Sequence, residues 1–315
     1  MAPPRPTQPA LVIVNPKAGG GINERKWARL VGAVSEGLGE IEVQFTSARG
    51  HATELARDAA MADRDLIVAF GGAGTISEVA AGLLIAGEQG HSGTELGIIP
   101  RGTGGDFRRT LALPSDVVAA ARHIGAAKAQ VIDVGRVTFT SAQGESVTRY
   151  YVNVASFGFS SAVAARANES NKAFGAKAAF VGSTLRTLAD YQNNEVIMEV
   201  DGAEPIRRTI MLAAVGNGRF FGGGMKICPG ATLNSGELSF VTVGDMGKLT
   251  VVANLHRLFA GTHLSLEDVR ATSLRRLRAW PANPSQKIPV ELDGETPGFL
   301  PATFEVMPSA LRVRF

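Results

Sequence analysis

Cysteine and aromatic residues are scarce in this chain of 315 residues, and its charge is nearly balanced. The single cysteine, Cys228, excludes an internal disulfide and a zinc site built from several cysteines, a composition typical of a reducing cytosol. Aromatic residues make up 6% and the formal net charge is +3, which is too little to indicate nucleic-acid binding. The mild basicity is compatible with anionic substrates or an anionic membrane surface.

Long apolar runs are also missing from the sequence. No stretch approaches the roughly 20 apolar residues that a membrane-spanning helix needs. The first nine residues, MAPPRPTQP, form a proline-rich tail that we expect to be disordered, and the apolar run after them is too short for a signal peptide. We therefore expect a cytoplasmic protein.

Glycine, in contrast, is abundant at 37 residues, and three of the glycine clusters follow apolar runs that are typical of buried strands. The run Leu66–Phe70 stops at Gly71 and Gly72, and a helical pattern follows. Thr75 and Glu78 have the spacing of a capping box, which predicts that this helix begins at Thr75. A strand, a glycine turn and a helix N-terminus together form a potential anion site, although glycines alone more often mark a plain tight turn.

Strand and helix patterns alternate through the first 130 residues. Because glycine turns follow several of the strands, this order predicts a doubly wound α/β sheet with ligand loops at the carboxyl ends of the strands. The predicted strands are Ala10–Val14, Ile41–Thr46, Leu66–Phe70 and Leu96–Ile99. The predicted helices are 23–38, His51–Met61, a helix after Thr75, Asp106–Leu111 and a helix capped by Ser115 and closed by Gly125.

Beyond Val131 the pattern changes to alternating, strand-like runs, which predict antiparallel strands. We therefore expect a domain boundary near Val131, with an α/β domain over 10–130 and a second domain over 131–303. The predicted strands are 131–140, 148–154, 195–201, 207–215, 238–243, 269–280, 288–292, 304–306 and 311–315. A helical insertion is predicted near 161–191 and a further helix over 250–260.

Four motifs, taken in order and spacing, resemble the diacylglycerol kinase catalytic family, which includes sphingosine and ceramide kinases and bacterial lipid kinases. They are NPKAGGG from Asn15, GGAGTISEV from Gly71, GIIPRGTGGDF from Gly97 and LDGE from Leu292. The resemblance covers nearly the whole chain. It implies an ATP-dependent and magnesium-dependent transfer of phosphate to a lipid hydroxyl of diacylglycerol, a sphingoid base or ceramide. It also implies that 10–130 form a nucleotide-binding domain to which a last strand near 304–315 returns, and that 131–303 form a β-sandwich domain for the lipid acceptor.

The sequence departs from the family at Ala73, where members usually have an aspartate near the metal and the acceptor hydroxyl. Further departures are Gly105, often asparagine in the family, and the segment 234–236, where many bacterial members carry an acidic pair. Three interpretations stay open: a divergent kinase, a kinase disabled by an Asp-to-Ala change, or a catalytically silent nucleotide or lipid binder. An NAD kinase-like enzyme is a further alternative, although its second glycine and threonine motif is absent.

The glycine turns are predicted to hold the phosphates of ATP through main-chain amides. Asn15 and Lys17 follow the first strand and would reach the same crevice. By the resemblance, Thr46 contacts the nucleotide and Glu78 lies near its ribose or adenine. The predicted nucleotide-binding residues are Asn15, Lys17, Thr46, Gly71, Gly72, Gly74, Thr75, Glu78, Gly102, Thr103 and Gly104.

Carboxylates in two motifs are the candidates for catalysis. Asp293 and Glu295 flank a glycine in a short turn, where a carboxylate could accept the proton of an acceptor hydroxyl, and Asp293 is the first choice of base. Asp106 is a further catalytic candidate. Asp106 and Asp133 are the candidate magnesium ligands, since magnesium bound to ATP takes one or two carboxylates.

A lipid acceptor requires contact with a membrane, and we expect peripheral association with the inner membrane surface. The basic cluster Arg270, Arg275, Arg276 and Arg278, close to Trp280, is one candidate surface, although a solvated edge strand explains it equally well. Apolar residues of the helical insertion could line an acyl pocket. These are Phe174, Phe180, Val181, Leu185 and Leu188. The sequence leaves the oligomeric state open.

Overall fold

The computed structural model describes residues 8–22, 24–102, 105–169, 184 and 186–315. Several predictions fall outside these ranges: most of the tail, namely 1–7, and Thr103, Gly104, Phe174, Phe180, Val181 and Leu185. The chain divides into two units, the first comprising Met1–Asp133 with Ser309–Phe315 and the second Val134–Pro308. No helix in the described ranges combines the length and hydropathy that crossing a bilayer requires.

The first unit alternates strands and helices around a parallel sheet. Its strands are β1 (Ala10–Val14), β2 (Ile41–Phe45), β3 (Leu66–Gly71) and β4 (Glu95–Pro100). Its helices are α1 (Glu24–Leu38), α2 (His51–Met61), α3 (Ala73–Glu88), α4 (Asp106–Thr110) and α5 (Val117–Ala126). The strand order is β2–β1–β3–β4, and the C-terminal end of a last strand, β15 (Glu295–Arg314), adds to β4 in parallel.

Every residue of β1 and β3 is buried, as expected for strands that are covered on both faces. Helices α1 and α5 pack on one face of the sheet, and α2 packs against α3. A Cβ at Gly125 would lie 1.9 Å from the carbonyl oxygen of Gly37, so glycine is what allows α1 and α5 to approach so closely.

Three predicted helix ends in this unit are wrong. The third helix begins at Ala73 after Gly72, so Thr75 does not cap it. The fifth helix is capped by Asp116, whose carboxylate accepts the Ala119 N–H at 2.9 Å, and Ser115 is not its cap. Gly125 lies inside that helix, because its small size serves helix packing and not termination.

The second unit is mostly antiparallel. Its strands are β5 (Ala129–Ser141), which begins in the first unit, β6 (Ser146–Tyr151), β7 (Val154–Gly158), β8 (Asn194–Val200), β9 (Ile206–Ile210), β10 (Leu212–Gly216), β11 (Leu238–Val243), β12 (Val269–Leu274), β13 (Arg276–Pro281), β14 (Pro289–Leu292) and most of β15. Its helices include α6 (Phe159–Glu169) and α7 (Lys248–Ala260).

One run of paired strands has the order β12–β11–β10–β7–β14–β15, and β9–β8–β13 and β6–β5 also pair onto β15. The apolar core of this unit includes Phe157 and Phe304, whose rings stack with centroids 5.9 Å apart. A doubly wound α/β fold followed by an antiparallel β fold is the predicted class, and it is confirmed.

Three runs predicted as single strands are each two strands. The break between β6 and β7 falls at Val152 and Asn153, whose amides bind the carboxylate of Asp293. The break between β12 and β13 falls at Arg275, whose N–H donates to Asp201 at 2.9 Å. These polar contacts lie far apart in sequence, and the hydrophobic pattern carries no sign of them. The predicted strands 304–306 and 311–315 are, conversely, parts of one strand, β15.

Candidate active site

Three turns meet at the carboxyl ends of β1, β3 and β4 in the first unit. These strands are parallel neighbours, so their ends lie side by side. The Arg101 N–H donates to the Gly71 carbonyl at 2.7 Å. The Asn15 side-chain amide donates to the Thr75 hydroxyl at 3.0 Å. The predicted residues Asn15, Gly71 and Thr75 are therefore brought together in one turn cluster.

Helix α3 points its N-terminus into this cluster. Its N-cap is Gly72, which has extended backbone and provides no capping side chain. The first helical hydrogen bond is from Ile76 N–H to the Gly72 carbonyl at 3.1 Å, so the amides of Ala73, Gly74 and Thr75 precede it. These amides carry about half an elementary positive charge from the helix dipole, which suits a phosphate.

Two glycines of the cluster occupy closely packed positions. A Cβ at Gly71 would lie 2.4 Å from the Thr75 hydroxyl oxygen, and a Cβ at Gly102 would lie 3.2 Å from the Gly72 Cα. A Cβ at Gly72 would meet only the Arg101 carbonyl oxygen, at 3.6 Å, which is an ordinary contact. Packing within the protein therefore does not explain why residue 72 is a glycine.

Arg101 is a residue of this cluster that the sequence reasoning missed. Its side chain crosses Gly19, where a Cβ would lie 2.6 Å from the Arg101 Cγ. The Arg101 Nε is buried and has no hydrogen-bond partner within the described residues. A buried guanidinium nitrogen that lacks an acceptor, close to a helix N-terminus, fits an anionic ligand such as a phosphate group.

The remaining nucleotide candidates lie around the same sheet edge. The Lys17 N–H donates to the Asn15 side-chain oxygen at 2.9 Å, and the Lys17 side chain is exposed. Thr46 directly follows β2, and its N–H donates to the Val14 carbonyl at 2.9 Å. Both residues are close in sequence to the ends of strands that border the cluster.

Glu78 has a different structural role from the predicted capping box. Its carboxylate accepts the backbone N–H groups of Gly50 at 3.0 Å and Ala52 at 3.3 Å. Glu78 therefore caps the neighbouring helix α2, because Gly50 is the N-cap of α2 and has no side chain to do so.

The two candidate magnesium ligands both have partners in the first unit. The Asp106 carboxylate forms an ion pair with Arg109 at 2.7 Å, and its side chain is 13% exposed. Asp133 is 1% exposed and accepts the Ser309 N–H at 2.8 Å, which holds the last strand. In the described ranges, no group of three or more acidic, histidine or cysteine side chains is arranged to hold a metal.

The LDGE motif forms a tight corner in the second unit. Asp293 has a positive φ of 49°, and its carboxylate accepts the N–H groups of Val152, Asn153 and Val154 at 3.0–3.1 Å. These bonds fix the carboxylate and the chain between β6 and β7. Glu295 forms a 3.5 Å ion pair with Arg149 and is about one-third exposed.

Buried polar groups surround this corner. Glu291 is 6% exposed, accepts the Gly294 N–H at 2.7 Å and also accepts the Ser156 hydroxyl. Burial raises the pKa of the Tyr151 phenol, and the negative charge of Asp293 raises it further. The Tyr151 side chain is therefore neutral over the physiological pH range.

The basic cluster around Trp280 is largely ion-paired. The Arg278 guanidinium also lies over the Trp280 ring, 5.8 Å from its centroid. The ion pairs are Arg275–Glu237 at 3.8 Å, Arg276–Glu305 at 3.6 Å and Arg278–Glu199 at 3.0 Å. These carboxylates offset much of the positive charge that the sequence suggested for membrane contact.

Residues 9–137 match the family model described as the diacylglycerol kinase catalytic domain, and residues 153–315 match the YegS C-terminal NAD kinase beta sandwich-like domain. A diacylglycerol kinase of Bacillus subtilis (strain 168) is 30% identical over 298 residues, covering 94% of this chain and 92% of the relative.

Two further similarities agree with this match. The "Probable lipid kinase YegS-like" of Pseudomonas putida KT2440 is 30% identical over 87% of this chain and 84% of its own length. A crystal structure of a diacylglycerol kinase from Bacillus anthracis strain Sterne has the same fold, with a TM-score of 0.72, 22% identity and coverage of 98% of this chain and 96% of that one. The chain therefore belongs to the diacylglycerol kinase catalytic-domain family of lipid kinases.

Proposed function

We propose that this protein transfers the γ-phosphate of ATP to the free hydroxyl of a diacylglycerol. The observation that carries the proposal is the N-terminus of α3, whose N-cap Gly72 has no side chain, next to the buried Nε of Arg101, which has no hydrogen-bond partner among the residues that the structure describes. Both groups favour a polyphosphate. The choice of diacylglycerol over a sphingoid base or ceramide is supported by the name of the Bacillus subtilis relative.

In this proposal the turn cluster binds the triphosphate. The amides of Ala73, Gly74 and Thr75 donate to phosphate oxygens, and the Arg101 guanidinium neutralises charge on the same group. Gly72 leaves room for the phosphate to approach the backbone. Gly102, Thr103 and Gly104 are proposed to bind phosphate through main-chain amides, and the Asn15 side chain donates a hydrogen bond to Thr75. Lys17 and Thr46 are proposed to contact the nucleotide.

Magnesium is proposed to bind with ATP. The ion would lower the negative charge of the phosphates, and Asp106 is the carboxylate that fits it best, since it lies at the start of α4 beside the third turn. Arg109 would then keep Asp106 oriented through their ion pair. Asp133 fits less well, because a metal there would compete with the Ser309 N–H for a side chain that is 1% exposed.

The acceptor side of the reaction is proposed to use Asp293 and Glu295. A carboxylate accepts the proton of the lipid hydroxyl, the hydroxyl oxygen forms a bond to the γ-phosphorus, and the bond from that phosphorus to the β-phosphate oxygen of ADP breaks. Asp293 already accepts three backbone amides, so it is rigidly placed. Glu295 is the more exposed carboxylate and is the alternative base.

Ala73 supports one competing function, a nucleotide-binding or lipid-binding protein without catalysis. It is the first residue of α3 and is exposed, so the position usually held by an aspartate carries no charge here. The two functions differ in a single outcome. A silent binder would bind ATP with the same turn cluster and transfer no phosphate.

The test is incubation of the purified full chain with γ-labelled ATP, magnesium and mixed micelles that contain diacylglycerol, ceramide or sphingosine, with NAD as a separate acceptor. We expect label in the lipid extract from the diacylglycerol sample. Binding of ATP without label in any lipid would favour the silent binder, and label in NAD would favour the NAD kinase-like alternative.

A further inference from the structure

The outer face of helix α7 (Lys248–Ala260) is an apolar surface with no cover within the described residues. Four large apolar side chains of this helix are exposed: Leu249 at 87%, Val252 at 54%, Leu255 at 40% and Phe259 at 52%. At 100° per residue these four lie within an arc of about 120°, which is the width of the buried stripe on an ordinary amphipathic helix. Here that stripe faces outward.

The side of the helix next to this stripe is anchored in the second unit. Val251 and Leu258 pack against a buried cluster that includes Val243 and Met246. The backbone N–H of Lys226 donates to the Leu258 carbonyl at 2.9 Å. The helix is thus fixed by its inner face, and its outer apolar stripe is held in the open by the fold.

Charge on the helix identifies the kind of partner. It carries Lys248, His256 and Arg257 and no acidic residue. The acidic residues nearest in sequence, Asp245 and Glu267, lie outside it, and Asp245 accepts a hydrogen bond from Asn193 at 2.7 Å. An apolar stripe with cationic neighbours is the pattern of helices that lie in the interface of an anionic bilayer.

We propose that the outer face of α7 inserts into the anionic bilayer from which this lipid kinase takes its acceptor. The proposal rests on the proposed function, since a kinase with a membrane lipid as substrate must meet the bilayer surface. It assigns the contact to α7 in place of the basic cluster near Trp280, where three arginines are ion-paired with glutamates.

The experiment is cosedimentation of the full chain with vesicles of phosphatidylcholine that contain about one third phosphatidylglycerol, an anionic surface of the kind that attracts Lys and Arg. Leu249→Asp places a charge in the stripe, and we expect it to weaken vesicle binding by about ten- to hundredfold, the range for losing one inserted leucine. Thr250→Asp is the matched control. It adds the same charge in the same helical turn but about 100° away, and we expect a change of less than about twofold.

Equal binding by Leu249→Asp and the unmodified protein would overturn the proposal. So would a Leu249→Asp variant that loses only self-association in sedimentation velocity, because the stripe would then join two copies of the chain. A failure of the proposed kinase function can be told apart from a failure of this membrane proposal, since vesicle binding requires no catalysis. If the kinase function and the membrane contact are both correct, Leu249→Asp retains transfer to a dispersed short-chain diacylglycerol and loses transfer to diacylglycerol in vesicles.

Discussion

Alanine at position 71 is expected to destabilise the protein, whereas alanine at position 72 is expected to leave its stability almost unchanged. A Cβ at position 71 would lie 2.4, 2.6 and 2.9 Å from three side-chain atoms of Thr75. Thr75 cannot move away easily, because it is 5% exposed and accepts a hydrogen bond from Asn15. Overpacking of this kind costs about 1–3 kcal/mol, so we expect Gly71→Ala to destabilise the first unit by that amount.

Gly72→Ala is the control at the adjacent residue. Its Cβ would meet one atom, the Arg101 carbonyl oxygen, at 3.6 Å, and its backbone is in a region that alanine adopts. The lower entropy of the unfolded chain stabilises by about 0.4–1 kcal/mol, and alanine is a poorer N-cap than glycine by a similar amount. These effects offset each other to within about 1 kcal/mol.

The assay is urea denaturation followed by tryptophan fluorescence in a Trp280→Phe background. The remaining tryptophan, Trp27, packs edge-on against Phe70 of β3 with ring centroids 5.4 Å apart, so it reports on the first unit near the turn cluster. We expect a lower midpoint for Gly71→Ala and an almost unchanged midpoint for Gly72→Ala. Equal shifts in the two variants would refute the steric reasoning.

Four further predictions concern charge and titration. Arg101→Ala should weaken ATP binding at least about tenfold by calorimetry, since a hydrogen bond to a charged group contributes about 1.5–3 kcal/mol, and unchanged affinity would remove Arg101 from the site. Ala73→Asp should raise lipid phosphorylation if the missing carboxylate limits the rate, whereas an unchanged rate of lipid labelling would mean that the remaining carboxylates suffice. Burial raises the pKa of the Cys228 thiol to about 12, so Ellman's reagent at about pH 8 should label it only after unfolding, and rapid labelling of the folded protein would contradict this burial. Burial lowers the pKa of His263, which is 3% exposed, so the unfolded chain binds a proton at this residue at a higher pH than the folded chain does. The free energy of unfolding should therefore fall as the pH drops below about 6.5, and His263→Gln should reduce this dependence in urea denaturation at several pH values.

The parallel first unit could be predicted well because its signals are local. Buried strands such as β1 and β3 are short, continuous apolar runs that end at glycine or asparagine, and helices of regular spacing follow them. The second unit was harder to predict in detail. Its strands break where the backbone N–H groups donate to the carboxylate of a residue distant in sequence, such as Asp201 or Asp293, and such contacts leave no local signal in the sequence.

The roles of individual residues in the first unit also depend on contacts that the sequence pattern does not reveal. The spacing of Thr75 and Glu78 fits a capping box, yet Glu78 caps α2, because spacing does not reveal which helix lies within reach of a side chain. Gly125 has the position of a helix terminator but serves the contact with Gly37. The placement of Arg101 depends on Gly19, which is distant in sequence, so only the folded chain reveals it.

The outward face of α7 could not be inferred from sequence for a related reason. The inner pair, Val251 and Leu258, and the four exposed apolar residues lie within one continuous arc of about 180°, and the sequence pattern does not state which part of that arc is buried. The structure separates the inner pair, Val251 and Leu258, from the exposed residues.

The central claim is that the turn cluster of the first unit holds ATP for transfer of phosphate to a lipid. Its most direct test is incubation of the protein with γ-labelled ATP, magnesium and vesicles containing diacylglycerol, followed by extraction of the lipid. We predict that the label is recovered in phosphatidic acid and that this transfer falls at least about tenfold in Arg101→Ala at low ATP concentration. Bound ATP with no label in the lipid, or equal labelling by Arg101→Ala, would contradict the account.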